Sequence, residues 1–133
     1  MEQKACDYFF ATIFKDEYPD YKVIEFDKHT DTTRYWGIVH KCKNWDDKTK
    51  GQIVSATPDK STQVTATTSN VRIKGRTKNS GRLKIGVWSK IKVGDHYFVL
   101  IGAYRKLRFA EYFFIEFDKD GKIIGTCKQG EII

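Results

Sequence analysis

The sequence predicts an α+β fold in which one N-terminal helix packs on a curled, largely antiparallel sheet of seven or eight strands. Three observations lead to this prediction. Helical periodicity is clear only in the first 18 residues, alternating strand patterns follow from residue 22 onward, and most links between the strands are short enough for hairpins. A chain of 133 residues with 40% apolar residues fits one domain, which spans residues 1–133.

The predicted helix carries its apolar residues on one face. These residues recur at the spacing i, i+3, i+4, i+7 and are Cys6, Phe9, Phe10, Ile13 and Phe14. The acidic residues Glu2 and Asp7 lie early, where the positive end of the helix dipole favours negative charge. Pro19 disfavours helical backbone at Tyr18 and is therefore expected to end the helix.

Strand patterns fill most of the remaining chain. Alternating or β-branched segments predict strands at residues 22–27, 34–43, 52–56, 71–76, 83–93, 97–101, 111–118 and 122–128. Residues 63–68 fit a strand or a loop. The segment 97–101 is apolar throughout, which predicts a central strand that is buried on both faces. Asp120-Gly121 is a strong turn signal and predicts that the last two strands form a hairpin.

The three cysteines, Cys6, Cys42 and Cys127, are odd in number and include no closely spaced pair. This spacing is not typical of zinc or disulfide-exchange sites, and it predicts reduced thiols in an intracellular protein. The N-terminal segment is too polar for a secretory signal, and no apolar run approaches the roughly 20 residues that span a bilayer. We therefore expect a cytoplasmic protein that makes no contact with membranes.

The strongest feature of the sequence is a basic segment without acids. The net charge is +7, and the 35 residues from Lys60 to Gly94 contain no Asp or Glu. Strand periodicity places most of the basic side chains of this segment on one face of a predicted β-hairpin, together with one tryptophan. The predicted binding residues are Arg72, Lys74, Arg76, Lys78, Arg82, Lys84, Trp88, Lys90 and Lys92.

A row of like charges on paired strands is unfavourable unless anions neutralise it. The sequence therefore predicts a small nucleic-acid-binding protein that holds the phosphate backbone of DNA or RNA with this hairpin, while Trp88 stacks on a base. An acidic protein is the other partner that such a face fits. The alternative is internal neutralisation by flanking strands, which expose Glu25, Asp27, Glu116 and Asp118.

No catalytic or metal-binding constellation is evident in the sequence. His29, His40 and His96 are scattered, and the chain has neither a phosphate-binding glycine-rich loop nor a G-x-S-x-G motif. We therefore assign no catalytic residues, no metal ligands and no cofactor. The sequence favours a protein that is not an enzyme.

The order of the helix and strands around VRIKGRTKNSGRLKIGVW, GDHYFVLIGAYRK and EYFFIEF resembles the restriction-endonuclease-like PD-(D/E)xK nucleases. By position in the chain, the two halves of the family motif match Pro58-Asp59 and Arg72-Ile73-Lys74. By literal residue type, they match Pro19-Asp20 and Asp46-Asp47-Lys48. The resemblance implies a magnesium-dependent nuclease. Because Arg72 stands where the second acidic ligand is expected, the resemblance also implies a relative that has lost cleavage.

A second resemblance is to cystatin-like and nuclear-transport-factor-like domains, in which one helix packs in a curled antiparallel sheet. This resemblance implies a domain that binds a small molecule or a protein, with a cavity between the helix and the sheet. The aromatic residues available to line such a cavity are Tyr8, Phe9, Tyr97, Tyr104, Tyr112 and Phe114.

Overall fold

The computed structural model describes residues 1–35, 37–68, 71–75, 82–105 and 109–132. It confirms the predicted α+β class, with an N-terminal helix on a mixed, largely antiparallel sheet of seven strands. The strands are β1 Val23–Phe26, β2 Arg72–Lys74, β3 Leu83–Val87, β4 Ile91–Val93, β5 His96–Arg105, β6 Phe109–Phe117 and β7 Ile123–Ile132. Their order in the sheet is β2-β1-β3-β5-β6-β7, and β4 pairs with β5.

The N-terminal helix, α1, is continuous and consists of α-helical Glu2–Tyr8, π-helical Phe9–Ile13 and α-helical Phe14–Glu17. Its predicted apolar face is confirmed for four of the five residues, since only Ile13 is half-buried. These side chains pack on one face of the sheet, where the Phe9 ring lies 5.4 Å from the Phe113 ring. The helix ends at Glu17, as Pro19 predicts.

A second layer, formed by residues between β1 and β2, covers much of the opposite face of the sheet. It contains a 3-10 turn, Gly37–Lys41, and a second helix, α2, which is Asp47–Ser55. Its side chains Tyr35, Trp45 and Ile53 join a buried cluster with Phe98 and Phe114 of the sheet. Among the described residues, neither helix is long and apolar enough to cross a membrane.

The strands predicted at 34–43 and 52–56 are therefore wrong. The side chain of Asp46 accepts a hydrogen bond of 2.7 Å from the Thr49 backbone N–H and caps α2 at its N-terminus. Only Lys50 and Ile53 of α2 are buried, so the helix lacks the wide apolar stripe that marks helices in sequence. The β-branched pair Ile53 and Val54 suggests a strand instead.

Smaller differences lie in the second half of the chain. The strand predicted at 83–93 is divided into β3 and β4 at Trp88–Lys90, where the buried Ser89 hydroxyl lies 2.6 Å from the Thr30 hydroxyl. Residues 63–68 form a loop with one isolated bridge, from Gln63 to His29. The predicted hairpin of β6 and β7 is confirmed, and Gly121 adopts a positive φ of 81° in its turn.

The expectation that all three thiols are reduced is wrong for two of them. Cys42 and Cys127 form a disulfide with a Cα–Cα distance of 6.1 Å, and Cys6 is free and buried. The bond connects the second layer to β7, so it holds together parts of the chain that are 85 residues apart. Sequence spacing did not indicate this pair, because the two cysteines meet only after the second layer has packed on the sheet.

A buried ionic network joins the end of α1 to the sheet. Glu111 of β6 is 5% exposed and accepts a hydrogen bond of 2.6 Å from the Tyr18 hydroxyl. Arg105 and Lys128 pair with this carboxylate at 3.0 and 3.1 Å, and Lys128 also pairs with Glu17 at 2.7 Å. Burial raises the pKa of Glu111, but hydrogen bonds from Tyr18 and Lys128 and the two nearby cations outweigh it, so the pKa is lowered.

The lowered pKa of Glu111 predicts that acid weakens the fold. Its contribution to stability is complete above the pKa of an unfolded glutamate, about 4.3, and is lost as the pH falls through the lower pKa of the folded state. We expect the free energy of unfolding, measured by urea denaturation, to fall between about pH 5 and pH 3 more steeply in the unmodified protein than in Glu111→Gln. Equal slopes in the two proteins would assign the acid sensitivity to other groups.

Candidate nucleic-acid interface

The strand order separates the two halves of the predicted hairpin. Strands β2 and β3 do not pair with each other, because β1 lies between them and runs parallel to both. In the Cα register, Glu25 of β1 lies opposite Lys74 on one side and Lys84 on the other. The predicted hairpin is therefore wrong. Of the acids considered for internal neutralisation, Glu25 lies in register between the two lysines, and Asp27 directly follows β1, two residues further along.

Three basic residues nevertheless share one face of this part of the sheet. Residues in register on neighbouring strands point to the same face, so Lys74 and Lys84 lie with Glu25 on the face opposite α1. Arg72, two residues before Lys74, lies on that face as well. Arg72 is exposed, and the two lysines are half-buried. We call Arg72, Lys74 and Lys84 the cationic strip, and half-buried Arg82 directly precedes β3 at the same end.

The one acid within the strip contributes little to the surface. Glu25 is 0% exposed, whereas each residue of the cationic strip keeps part of its surface in contact with solvent. A ligand that approaches the strip itself therefore meets guanidinium and ammonium groups before it meets the Glu25 carboxylate. The strip lies at the edge of the sheet formed by β2, and the buried cluster of the second layer is built on β4 to β7 and Trp88.

Trp88 does not lie on an exposed basic face, so its predicted role in stacking on a base is not supported by its position. Trp88 directly follows β3 on the predicted face, but the second layer covers that face, and Trp88 is 4% exposed. Its indole Nε1 donates a hydrogen bond of 3.0 Å to the Thr33 hydroxyl. Its ring also packs edge-on against Tyr112. The sequence did not reveal this cover, because the covering segment was predicted as strands.

Lys90 and Lys92 lie away from the cationic strip. Lys90 pairs with Asp59 at 2.7 Å, and the ammonium group of Lys92 lies 5.7 Å from the centre of the Tyr97 ring. Lys92 pairs with Tyr97 on β5, whereas Lys84 pairs with Tyr104, seven residues further along that strand. This spacing separates the two lysines by about 23 Å. The predicted site residues Arg76 and Lys78 lie outside the described residues.

The acids predicted on β6 do not neutralise the strip. Glu116 accepts one hydrogen bond of 2.8 Å from the Trp45 indole and pairs with His96 at 2.8 Å. Asp118 accepts from backbone N–H groups within the turn between β6 and β7. Strands β3 and β5 separate β6 from β1, so these acids stabilise local structure at a distance from the strip.

A cleft of about 450 Å³ adjoins the strip on the same face of the sheet. Gly86 forms its floor, two residues beyond Lys84, and a Cβ atom added to this glycine would meet nothing within 4 Å. At Gly102, directly opposite Gly86 on β5, an added Cβ would lie 3.0 Å from the Trp88 ring. Glycines inside strands often mark such close approaches, and this pair was the sequence signal that could have located the cleft. The other side chains around it include Asp27, His29, Asp31, Thr33, Trp88 and Tyr104.

The residues of the nuclease-like motif do not come together as a magnesium centre. Asp59 pairs with Lys90, which directly precedes β4 and lies near the start of β5. Lys74 lies at the same level of the sheet as Lys84, which is opposite Tyr104 near the other end of β5. Asp46 caps α2, where the hydrogen bond from Thr49 lowers its pKa. Within the described parts of the chain, no three His, Cys, Asp or Glu residues lie close enough to hold a metal ion. The resemblance itself remains a prediction.

The aromatic residues expected to line one cavity lie on two sides of the sheet. Phe9 packs between α1 and the sheet, whereas Tyr112 and Phe114 pack under the second layer. Buried side chains pack across the interface between α1 and the sheet, and a small cleft of about 200 Å³ lies at the border of α1 with β6 and β7. Only Tyr104 of the expected set borders the cleft.

The comparisons with known proteins assign no family. The chain matches no protein-family model, no curated protein and no solved structure.

Proposed function

We propose that this protein binds nucleic acid by holding its phosphate backbone on the cationic strip. One observation carries the proposal: Arg72, Lys74 and Lys84 come from two strands to one partly exposed face, while the intervening Glu25 has no exposed surface. Cations arranged in this way neutralise successive phosphates and release the counterions that surround them. The guanidinium group of Arg72 can also donate two parallel hydrogen bonds to one phosphate.

The overall charge of the protein supports the same partner. The net charge of +7 attracts a polyanion from a distance and increases its rate of association. An acidic protein would also be attracted, but nucleic acid carries a regular row of phosphates that matches cations spaced along and across strands. We do not extend the proposal to a cytoplasmic location, because disulfides such as Cys42–Cys127 are rare in that reducing compartment.

The variant Arg72→Ala/Lys74→Ala/Lys84→Ala tests the proposal. We expect its affinity for a fluorescently labelled oligonucleotide at low salt, measured by fluorescence anisotropy, to be at least about tenfold weaker than that of the unmodified protein. The reason is that three phosphate contacts are removed together.

A matched control separates this local effect from the loss of net charge. Lys43→Ala/Lys48→Ala/Lys119→Ala removes the same number of charges from exposed positions on the second layer and the β6–β7 turn. We expect the control to lose much less affinity than the strip variant. Equal losses would show that binding depends on net charge alone, and the absence of any binding by the unmodified protein would reject the proposal.

A further inference from the structure

We infer that the cleft beside the cationic strip receives an unpaired guanine base of the bound nucleic acid. The inference rests on the proposed function, because the strip would hold the phosphates that bring the base to the cleft. The cleft and the strip lie on one face of the sheet, and Lys84 lies between them, two residues from Gly86 and directly opposite Tyr104. A nucleotide whose phosphate contacts Lys84 can therefore place its base over Gly86.

The shape of the cleft suits a flat ring. Its floor is the backbone at Gly86, where no side chain occupies the space above the strand. Half-buried Tyr104 offers part of its ring on one side, and Trp88 closes the inner end. Bases of single-stranded nucleic acid stack on aromatic side chains, and their Watson–Crick edges then remain free for hydrogen bonds.

Beside groups that can donate, such as the Tyr104 hydroxyl and the His29 ring, the cleft carries two carboxylates, which only accept hydrogen bonds. Asp27 Oδ1 accepts from the His29 backbone N–H at 3.0 Å, and Asp31 Oδ1 accepts from the backbone N–H and hydroxyl of Thr33, both at 2.8 Å. These bonds orient the two carboxylates. Within the described residues, the second oxygen of each carboxylate, Oδ2, accepts no hydrogen bond and is available to a ligand that donates.

Guanine is the base that best complements these acceptors. Its Watson–Crick edge carries two neighbouring donors, N1–H and the N2 amino group, which a carboxylate can accept together. Thymine and uracil carry one N–H between two carbonyl oxygens, which a carboxylate repels. The charges also orient the ligand, because the phosphates lie at the cationic end of this face and the base at the end that carries Asp27 and Asp31.

The test compares three labelled single-stranded DNA oligomers by fluorescence anisotropy. The first contains only thymidine, the second has one central guanosine, and the third has inosine at that position and so lacks the N2 amino group. We expect the guanosine oligomer to bind at least about tenfold more tightly than the all-thymidine oligomer, with the inosine oligomer between them. Asp27→Asn and Asp31→Asn should remove this preference, because asparagine keeps an oxygen for the local backbone bonds but not the charge.

Gly86→Val provides a variant that places a side chain on the floor of the cleft, where a base would lie. A Cβ at this position meets nothing within 4 Å and valine favours strands, so we expect the variant to unfold at the same temperature or higher. It should lose the preference for guanosine and bind the all-thymidine oligomer as before. If all three oligomers bind the unmodified protein equally, the base site is rejected and the phosphate-binding strip stands. If no oligomer binds, both proposals are rejected.

Discussion

Replacing Phe9 with alanine lowers the free energy of unfolding by about 3–5 kcal/mol in our account. Phe9 is 0% exposed at the interface between α1 and the sheet. Its ring lies 5.1 Å from the Phe10 ring and 5.4 Å from the Phe113 ring, so truncation leaves a cavity among side chains that cannot all move into it. Urea denaturation followed by circular dichroism measures the loss, which is a large part of the total stability of a domain of this size.

Ile13→Ala is the matched control for this prediction, since Ile13 lies on the same helix but is half-buried. We expect it to cost about 1 kcal/mol, because less apolar surface is removed from the core. If Phe9→Ala costs no more than this control, then α1 does not pack on the sheet as described.

Removal of the disulfide is the second change with a large expected effect. We expect Cys42→Ala/Cys127→Ala to lower the free energy of unfolding by about 2–4 kcal/mol, because the bond joins residues far apart in sequence and restricts the unfolded chain. The same loss should appear when the unmodified protein is unfolded in urea with a reductant. If reductant has no effect on stability, the two cysteines are not joined in the native protein.

Counting thiols provides an independent check on the disulfide. Burial, with a smaller contribution from the neighbouring charge of Asp7, raises the pKa of the Cys6 thiol to about 12, so a thiol reagent should react with it slowly in the folded protein. We expect one reactive thiol after unfolding without reductant and three after unfolding with reductant. Three thiols without reductant would contradict the bond.

The elements that the sequence predicted well are those whose burial forces a regular pattern. Phe9, Phe10 and Phe14 recur on one face because α1 buries that face, and β3 alternates because only one of its faces packs into the core beneath α1. Helix α2 escaped prediction because only Lys50 and Ile53 are buried, and the Asp46 cap was its main signal. One capping residue is a weak signal for a helix, and the β-branched residues Ile53 and Val54 favoured a strand prediction instead.

The sequence predicted which face of the sheet carries the residues of the candidate site, but it did not predict which strands lie beside them. Alternation correctly places Lys74 and Lys84 on one face, yet alternation says nothing about which strand lies between them. In the structure, β1 lies between them and places Glu25 opposite both lysines. The same limit applies to Trp88, whose face was predicted correctly but whose cover comes from a segment far away in sequence. Strand order and layer contacts are long-range properties that local periodicity does not encode.

The salt dependence of oligonucleotide binding tests the central claim most directly. If Arg72, Lys74 and Lys84 hold three phosphates, the logarithm of the association constant for single-stranded DNA should fall with the logarithm of salt concentration with a slope of about −2. The slope should approach zero in the variant that lacks all three cations. Binding that is insensitive to salt, or a slope that is unchanged in the variant, would contradict a phosphate-binding role for the cationic strip.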